Sequence, residues 1–224
     1  MEKEATLNAN SSLLNNRKDL FFAAADGISD VIKLQGFEPV LMIEDENCTA
    51  IIDHSENVSY NPYRQQIELQ HYLSSLVDFA PNITNNRPDY ILTDQDIYPE
   101  GMNMAYALGC TPDNAHLSIQ SIARIVRATE NPLLQYDAVR HIARHEFGHI
   151  IGMNSESDYF NPDKRPGLYE GHCANDCTMH QVMSPEEAIE AAEYLKDYNM
   201  AGFCIGCVIK IRAKSIKEHF INTW

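Results

Sequence analysis

The chain of 224 residues contains no run of about 18 apolar residues, so no transmembrane helix is expected. It is also short of positive charge. Seventeen Lys and Arg stand against 32 Asp and Glu, a formal net charge of −15. That balance argues against nucleic acid and anionic membranes as partners, since both reward positive charge. One locally basic stretch, Lys210 to Lys217, is read as a solvated face. The opening Met1-Glu2-Lys3-Glu4-Ala5 lacks the charged-then-apolar pattern of a secretory leader. The Asn-x-Ser/Thr triplets at Asn10, Asn47, Asn57 and Asn82 are therefore read as chance matches, and a cytoplasmic monomer is expected. There is no internal repeat, no low-complexity tract and no recognisable nucleophile triad.

What is present suffices for a globular domain: 44% hydrophobic residues can fill a core, and 22% charged residues is ordinary for a soluble chain. Residues 1–16 are polar and Asn/Ser-rich and are expected to be loosely ordered, with a single domain over 17–224. A helix is predicted over Leu20 to Leu34, stopped by Gly36, followed by a buried strand at Pro39 to Ile43 with Thr49 to Ile52 paired to it. Arg64 to Phe79 repeats apolar residues at helical spacing, and Tyr90 to Thr93 reads as another buried strand. Short strands are predicted at Met104 to Leu108 and His116 to Ile119. This order implies an α/β fold, a mixed sheet with helices packed on it.

Asn131-Pro132 looks like a helix start, a cap residue followed by proline in the first turn, and Gly152 suits the stop. Within that helix Ala138, Ile142, His145, His149 and Gly152 share one face. Ser184-Pro185-Glu186-Glu187 announces a later helix with a capping box.

The chemistry centres on His145-Glu146-Phe147-Gly148-His149. Two histidines four apart on a helix can share one metal ion, and Glu146 beside them can meet water without ligating the metal. A catalytic zinc needs three protein ligands and one open position, so a third must come from downstream. His172 is the best candidate, with His180 weaker; His54, His71, His116, His141 and His219 are read as surface or core histidines. Six cysteines in a reducing compartment favour metal over disulfides. Cys173, Cys177, Cys204 and Cys207 form two close pairs that suit a four-cysteine zinc site, while Cys48 and Cys110 read as small buried apolar side chains.

The ordered set His145-Glu146, His149, Gly152, His172-Cys173, Cys177-Thr178-Met179 and Cys204-Ile205-Gly206-Cys207 resembles the archaemetzincins, metallopeptidases of the metzincin clan. Their signature runs H-E-x-x-H-x-x-G-x-x-H-C, then C-x-M, then C-x-x-C. Leu92 to Tyr98 also looks like the family's stretch after its central strand, and the resemblance spans about residues 38 to 210. It implies a compact metzincin-like domain with a mostly parallel twisted sheet. It also implies hydrolysis of peptide bonds with a metal-activated water and two zinc ions. His145, His149 and His172 would hold the catalytic ion, and Glu146 would be the general base. Cys173, Cys177, Cys204 and Cys207 would hold a structural ion, and Met179 would form the methionine turn, with Met183 the weaker choice.

One departure stands out: nineteen residues, 153–171, lie between Gly152 and His172 where the family has two. They read as an inserted surface loop between an N-terminal part, 17–152, and a zinc-stapled part, 172–224. The insertion leaves rivals for the third ligand: Glu186, Glu187 or Glu190 on the later helix, or Glu156 or Asp158 in the loop. An edge strand around His116 to Ile119 is expected to carry the substrate, by the same resemblance. The alternative function is a zinc-containing peptide binder of this fold with little or no proteolytic activity.

Overall fold

The computed structural model describes residues 2–43, 46–79, 89–100, 104–112, 116–153, 172–173, 175–196 and 200–221. In chain order the elements are β1 (Glu2–Ala9), α1 (Ser11–Asn16), α2 (Lys18–Leu34), β2 (Glu38–Ile43), α3 (Glu46–Ser59), β3 (Tyr60–Asn61), β4 (Gln66–Glu68) and α4 (Leu69–Phe79). There follow β5 (Asp89–Thr93), β6 (Ile97–Tyr98), β7 (Gly109–Cys110), β8 (Leu117–Ser121), α5 (Ala123–Ala128), α6 (Pro132–Ile150), α7 (Pro185–Leu195) and α8 (Ile205–Ile221). Five strands form a sheet in the order β2-β1-β5-β8-β7, parallel throughout except that β7 runs antiparallel to β8. A small second sheet orders β3-β4-β6.

Strand β5 shows why the sheet sits at the centre. All five of its residues are buried, and the two-residue period of a strand sends them to opposite sides. Tyr90 and Leu92 enter one core with α2 and α6, while Ile91 enters another with Ile52, Tyr72 and Leu76. Strand β8 follows the same rule: Leu117 and Ile119 join the second core. Ser118 and Gln120 turn the other way, toward α6, where the Gln120 amide donates to the Val139 carbonyl at 3.2 Å.

Helix α6 carries His145, Glu146 and His149, and its frame is local. The Asn131 carboxamide oxygen accepts from the Leu133 amide, Pro132 opens the first turn, and Gly152 leaves at φ +83°. Helix α2 lies along it. Gly27 lets the two backbones approach, since a Cβ there would stand 2.6 Å from the Arg140 carbonyl oxygen. Asp30 receives both Arg140 and Arg144 of α6 at 2.6–3.1 Å.

Five expectations need correction. Residues 2–16, expected to be loosely ordered, carry β1 and α1, and β1 lies inside the sheet between β2 and β5. Its polar Thr6 and Asn8 are buried alongside Ala5, Leu7 and Ala9, which hid the strand from an apolar-run reading. Thr49 to Ile52 lies in α3, where Ile52, Ser55, Glu56 and Ser59 form a buried face at helical spacing. The helix predicted from Arg64 begins at Leu69, after strand β4. The edges of the main sheet are β2 and β7; the strand at His116 to Ile119 corresponds to β8 and is paired on both sides, so it is no edge. Met104 to Leu108, predicted as a strand, contributes one isolated bridge, Ala107 to Ile97. The inserted loop falls outside the described residues except for Met153. Among the described residues no helix is long and apolar enough to cross a membrane.

Candidate metal centre

One helical turn separates His145 from His149, so α6 sets both rings on one face. Their Nε2 atoms lie 3.0 Å apart. His172 joins them, its ring centroid 5.1 Å from that of His145 and 5.0 Å from that of His149. The three residues offer nitrogen atoms all within 4.8 Å of one another. Three imidazoles bound at about 2.0–2.1 Å to a tetrahedral ion would hold their nitrogens about 3.3 Å apart. The donor set therefore fits zinc closely. His145 Nδ1–H donates to the Thr178 carbonyl at 2.8 Å, the hydrogen bond that turns the Nε2 lone pair toward an ion.

Glu146 leaves the same turn in another direction, under β7. Its Oε2 accepts from the Thr111 hydroxyl at 2.8 Å. Its Oε1 packs against Gly109, where a Cβ would come within 2.5 Å. Burial raises the carboxyl pKa to about 7, against the pull of hydrogen bonds from Thr111 and Ser118. Met179 is fully buried beneath α6; a Cβ on Gly148 would meet its sulfur at 2.4 Å. Met183, by contrast, is 43% exposed.

The four cysteines form a second cluster. Their sulfurs lie within 4.8 Å of one another, with Cys173 to Cys204 at 3.8 Å and Cys177 to Cys207 at 3.7 Å. A disulfide needs about 2.05 Å, whereas four thiolates at about 2.3 Å from a tetrahedral zinc sit about 3.8 Å apart. The spacing selects the metal reading. N–H donors already face the sulfurs: Met179 N to Cys177 at 3.3 Å, and the Asn175 amide to Cys173 and Cys204 at 3.6 and 3.7 Å. Cys48 and Cys110, expected to be buried, are half-buried instead.

The segment 177–179 serves both clusters. Cys177 belongs to one, the Thr178 carbonyl orients His145 of the other, and Met179 underpins Gly148. Thr178 is itself fixed, its hydroxyl donating to the Ala201 carbonyl at 2.9 Å and its amide to that of Gly202 at 3.0 Å.

The described rivals for the third ligand stand elsewhere. Glu186, Glu187 and Glu190 are exposed on α7, and the Glu187 carboxylate accepts from the Met183 amide in capping that helix. Glu156 and Asp158 fall outside the described residues. His180 bonds the Cys173 carbonyl at 3.0 Å, and His141 is buried one turn before His145; neither joins the cluster. Sequence reasoning passed over Gly109, Thr111, Ser118 and Thr178. Only Thr178 carried a signal, by standing between Cys177 and Met179.

No family model matches the chain, and no curated protein does. Solved structures do. Crystal structures of the archaemetzincins from Methanopyrus kandleri and Archaeoglobus fulgidus match at TM-scores of 0.61 and 0.56, with 17% and 19% identity. The first match covers 95% of both chains, the second 92% of this chain and 99% of the other. A zinc-dependent peptidase from Methanocorpusculum labreanum matches at 0.59 with 15% identity, over 92% of this chain and 99% of its own. The chain has the archaemetzincin fold. The likeness covers nearly the whole length of both chains in each case.

Proposed function

We propose that the chain is a zinc-dependent peptidase with two zinc ions, one at His145, His149 and His172 and one at the four cysteines. The observation that carries this reading is the pairing of a convergent three-histidine cluster with a buried carboxylate, Glu146, on the same helical turn. Zinc held by three imidazoles supplies Lewis-acid polarisation of a carbonyl and acidifies water. Glu146 takes the proton from the attacking water and passes it to the leaving amine. Burial, which raises its proton affinity, suits a group that must hold the proton between the two transfers.

The substrate is proposed to be a peptide laid along β7, the edge strand that stands against Glu146. The Ser121 amide donates to the Leu108 carbonyl, and Gly109 stands opposite Gln120. Antiparallel alternation then points the Gly109 N–H and C=O away from β8. A peptide strand there would take both bonds beside the Glu146 carboxylate.

Glu146→Ala is the test. Hydrolysis of a mixed peptide library should fall by at least about a hundredfold, the lower end of the range for general acid–base catalysis, while bound zinc stays at the wild-type level. Unchanged hydrolysis would sink the mechanism. A wild-type protein that binds zinc and peptide but cleaves nothing would point to a binder.

A further inference from the structure

From the hairpin of β7 and β8 we infer that Thr111 is a positioning residue for Glu146, holding its carboxylate at the open edge strand. The inference rests on Glu146 being the base, and it concerns a hydroxyl that no motif announces. The Thr111 hydroxyl has one hydrogen and three acceptors within reach. These are Glu146 Oε2 at 2.8 Å, Ser118 Oγ at 3.0 Å and the Glu146 carbonyl at 3.2 Å. The carboxylate oxygen is both the nearest and the strongest acceptor. Ser118, 3.0 Å from the Thr111 hydroxyl, also hydrogen-bonds the Glu146 carboxylate and reaches the Cys110 carbonyl at 3.3 Å. Two hydroxyls, Thr111 beyond β7 and Ser118 of β8, thus face the carboxylate, and Thr111 holds Oε2.

The neighbour of Thr111 in this group is fixed. Ser118 is fully buried on a strand paired on both sides, so its position is set by the sheet. Gly109 closes the other side of the carboxylate, because a Cβ there would lie 2.5 Å from Oε1 and 2.7 Å from Cδ. One carboxylate oxygen is thus tied by a hydroxyl and the other seated against a glycine. The hairpin that would receive the substrate also sets where the base stands. Precision of this kind matters: a displacement of about 1 Å at a reacting group costs on the order of a hundredfold in rate.

Thr111→Val removes the hydroxyl at nearly constant volume. In the zinc-loaded enzyme kcat should fall about 10- to 100-fold with KM within about twofold of wild type and zinc content unchanged. Thr111→Ser should recover kcat to within about threefold, a rescue that a loss of packing would not give. Gly109→Ala should lower kcat too, because its new Cβ meets the end of a flexible side chain that it displaces. The second readout needs no activity: in the crystal structure of zinc-loaded Thr111→Val the Glu146 carboxylate should leave its place by more than about 0.5 Å. A carboxylate that stays, or wild-type kcat in Thr111→Val, overturns the inference. Absence of hydrolysis in the wild type would overturn the peptidase reading instead, and the crystal structure would still decide what Thr111 holds.

Discussion

His141 sits one turn before His145 on α6 and is 2% exposed, with neither ring nitrogen hydrogen-bonded. Burial, with the Arg144 charge behind it, lowers its pKa from 6.5 to about 4. The folded state therefore keeps this ring neutral at pH values where the unfolded chain takes up a proton. Stability from this residue is present above pH 6.5 and is lost as pH falls toward 4. Between pH 7 and pH 5 the loss is about 2 kcal/mol by linkage. Glu56 has the opposite sign: burial raises its pKa from 4.5 to about 7, so its stabilising contribution is lost as pH rises through that window. Its oxygens accept from Asn10 and Thr93, where β1 and β5 end. The two slopes overlap, so wild-type stability alone will not separate them. Urea unfolding of His141→Leu beside wild type at both pH values does, since Glu56 and the release of zinc by acid are common to both. The variant should lose about 2 kcal/mol less than wild type on acidification. An equal loss would mean that His141 is not held neutral.

The packing of α2 on α6 is where an ordinary helix rule should fail. Alanine is favoured over glycine inside a helix by about 1 kcal/mol. At Gly27 an added methyl would stand 2.6 Å from the Arg140 carbonyl oxygen and 2.8 Å from Ala143 Cβ. Backbone cannot yield as a side-chain tip can, and overpacking of this kind costs about 1–3 kcal/mol. Gly27→Ala should therefore unfold at lower urea than wild type with the same m-value; a gain in stability would show that the helices can part. Elements whose signals are local were legible in advance. The Asn131-Pro132 start, the apolar run of β2, the buried run of β5 and the Ser184 cap needed no tertiary information, although β2 proves to be a half-buried edge strand and not a buried one. Strand β1 was not legible, because its buried Thr6 and Asn8 look like surface residues until β2 and β5 flank them. Thr49 to Ile52 is too short to show its period, and only its continuation through Ser55, Glu56 and Ser59 makes it a helix. The candidate site divides the same way. His145, Glu146, His149 and the cysteines stand at motif spacings, whereas Gly109, Thr111 and Ser118 act through distances to Glu146 that no spacing encodes.

At the scale of the whole molecule, the histidine and cysteine clusters are linked through short pieces of chain. Nineteen residues stand between Gly152 and His172 where the archaemetzincin signature has two. Loop closure grows only as (3/2)RT ln n, so the longer connection weakens delivery of the third histidine by about 2 kcal/mol. His172 is not held by that loop alone. Cys173 follows it directly, and its amide donates to the Met179 carbonyl at 2.8 Å. Cys177 precedes Thr178, whose carbonyl orients His145. At the other end Lys214 of α8 donates to the Gly152 carbonyl, while Cys207 near the start of the same helix joins the cysteine cluster. Helix α8 thus reaches both ends of the inserted loop. Filling the cysteine cluster should fix two of the three histidines, and loss of it should weaken the site without touching a ligand. In the double variant Cys204→Ser, Cys207→Ser, zinc affinity of the histidine cluster, read by chelator competition, should fall about 10- to 100-fold, the range for groups that orient metal ligands. His149→Ala should leave the thiolate-to-cobalt absorption of the cysteine cluster in place, because none of its ligands is held by that side chain. If the double variant keeps wild-type affinity at His145, His149 and His172, the clusters are independent and the inserted loop presents His172 by its own structure.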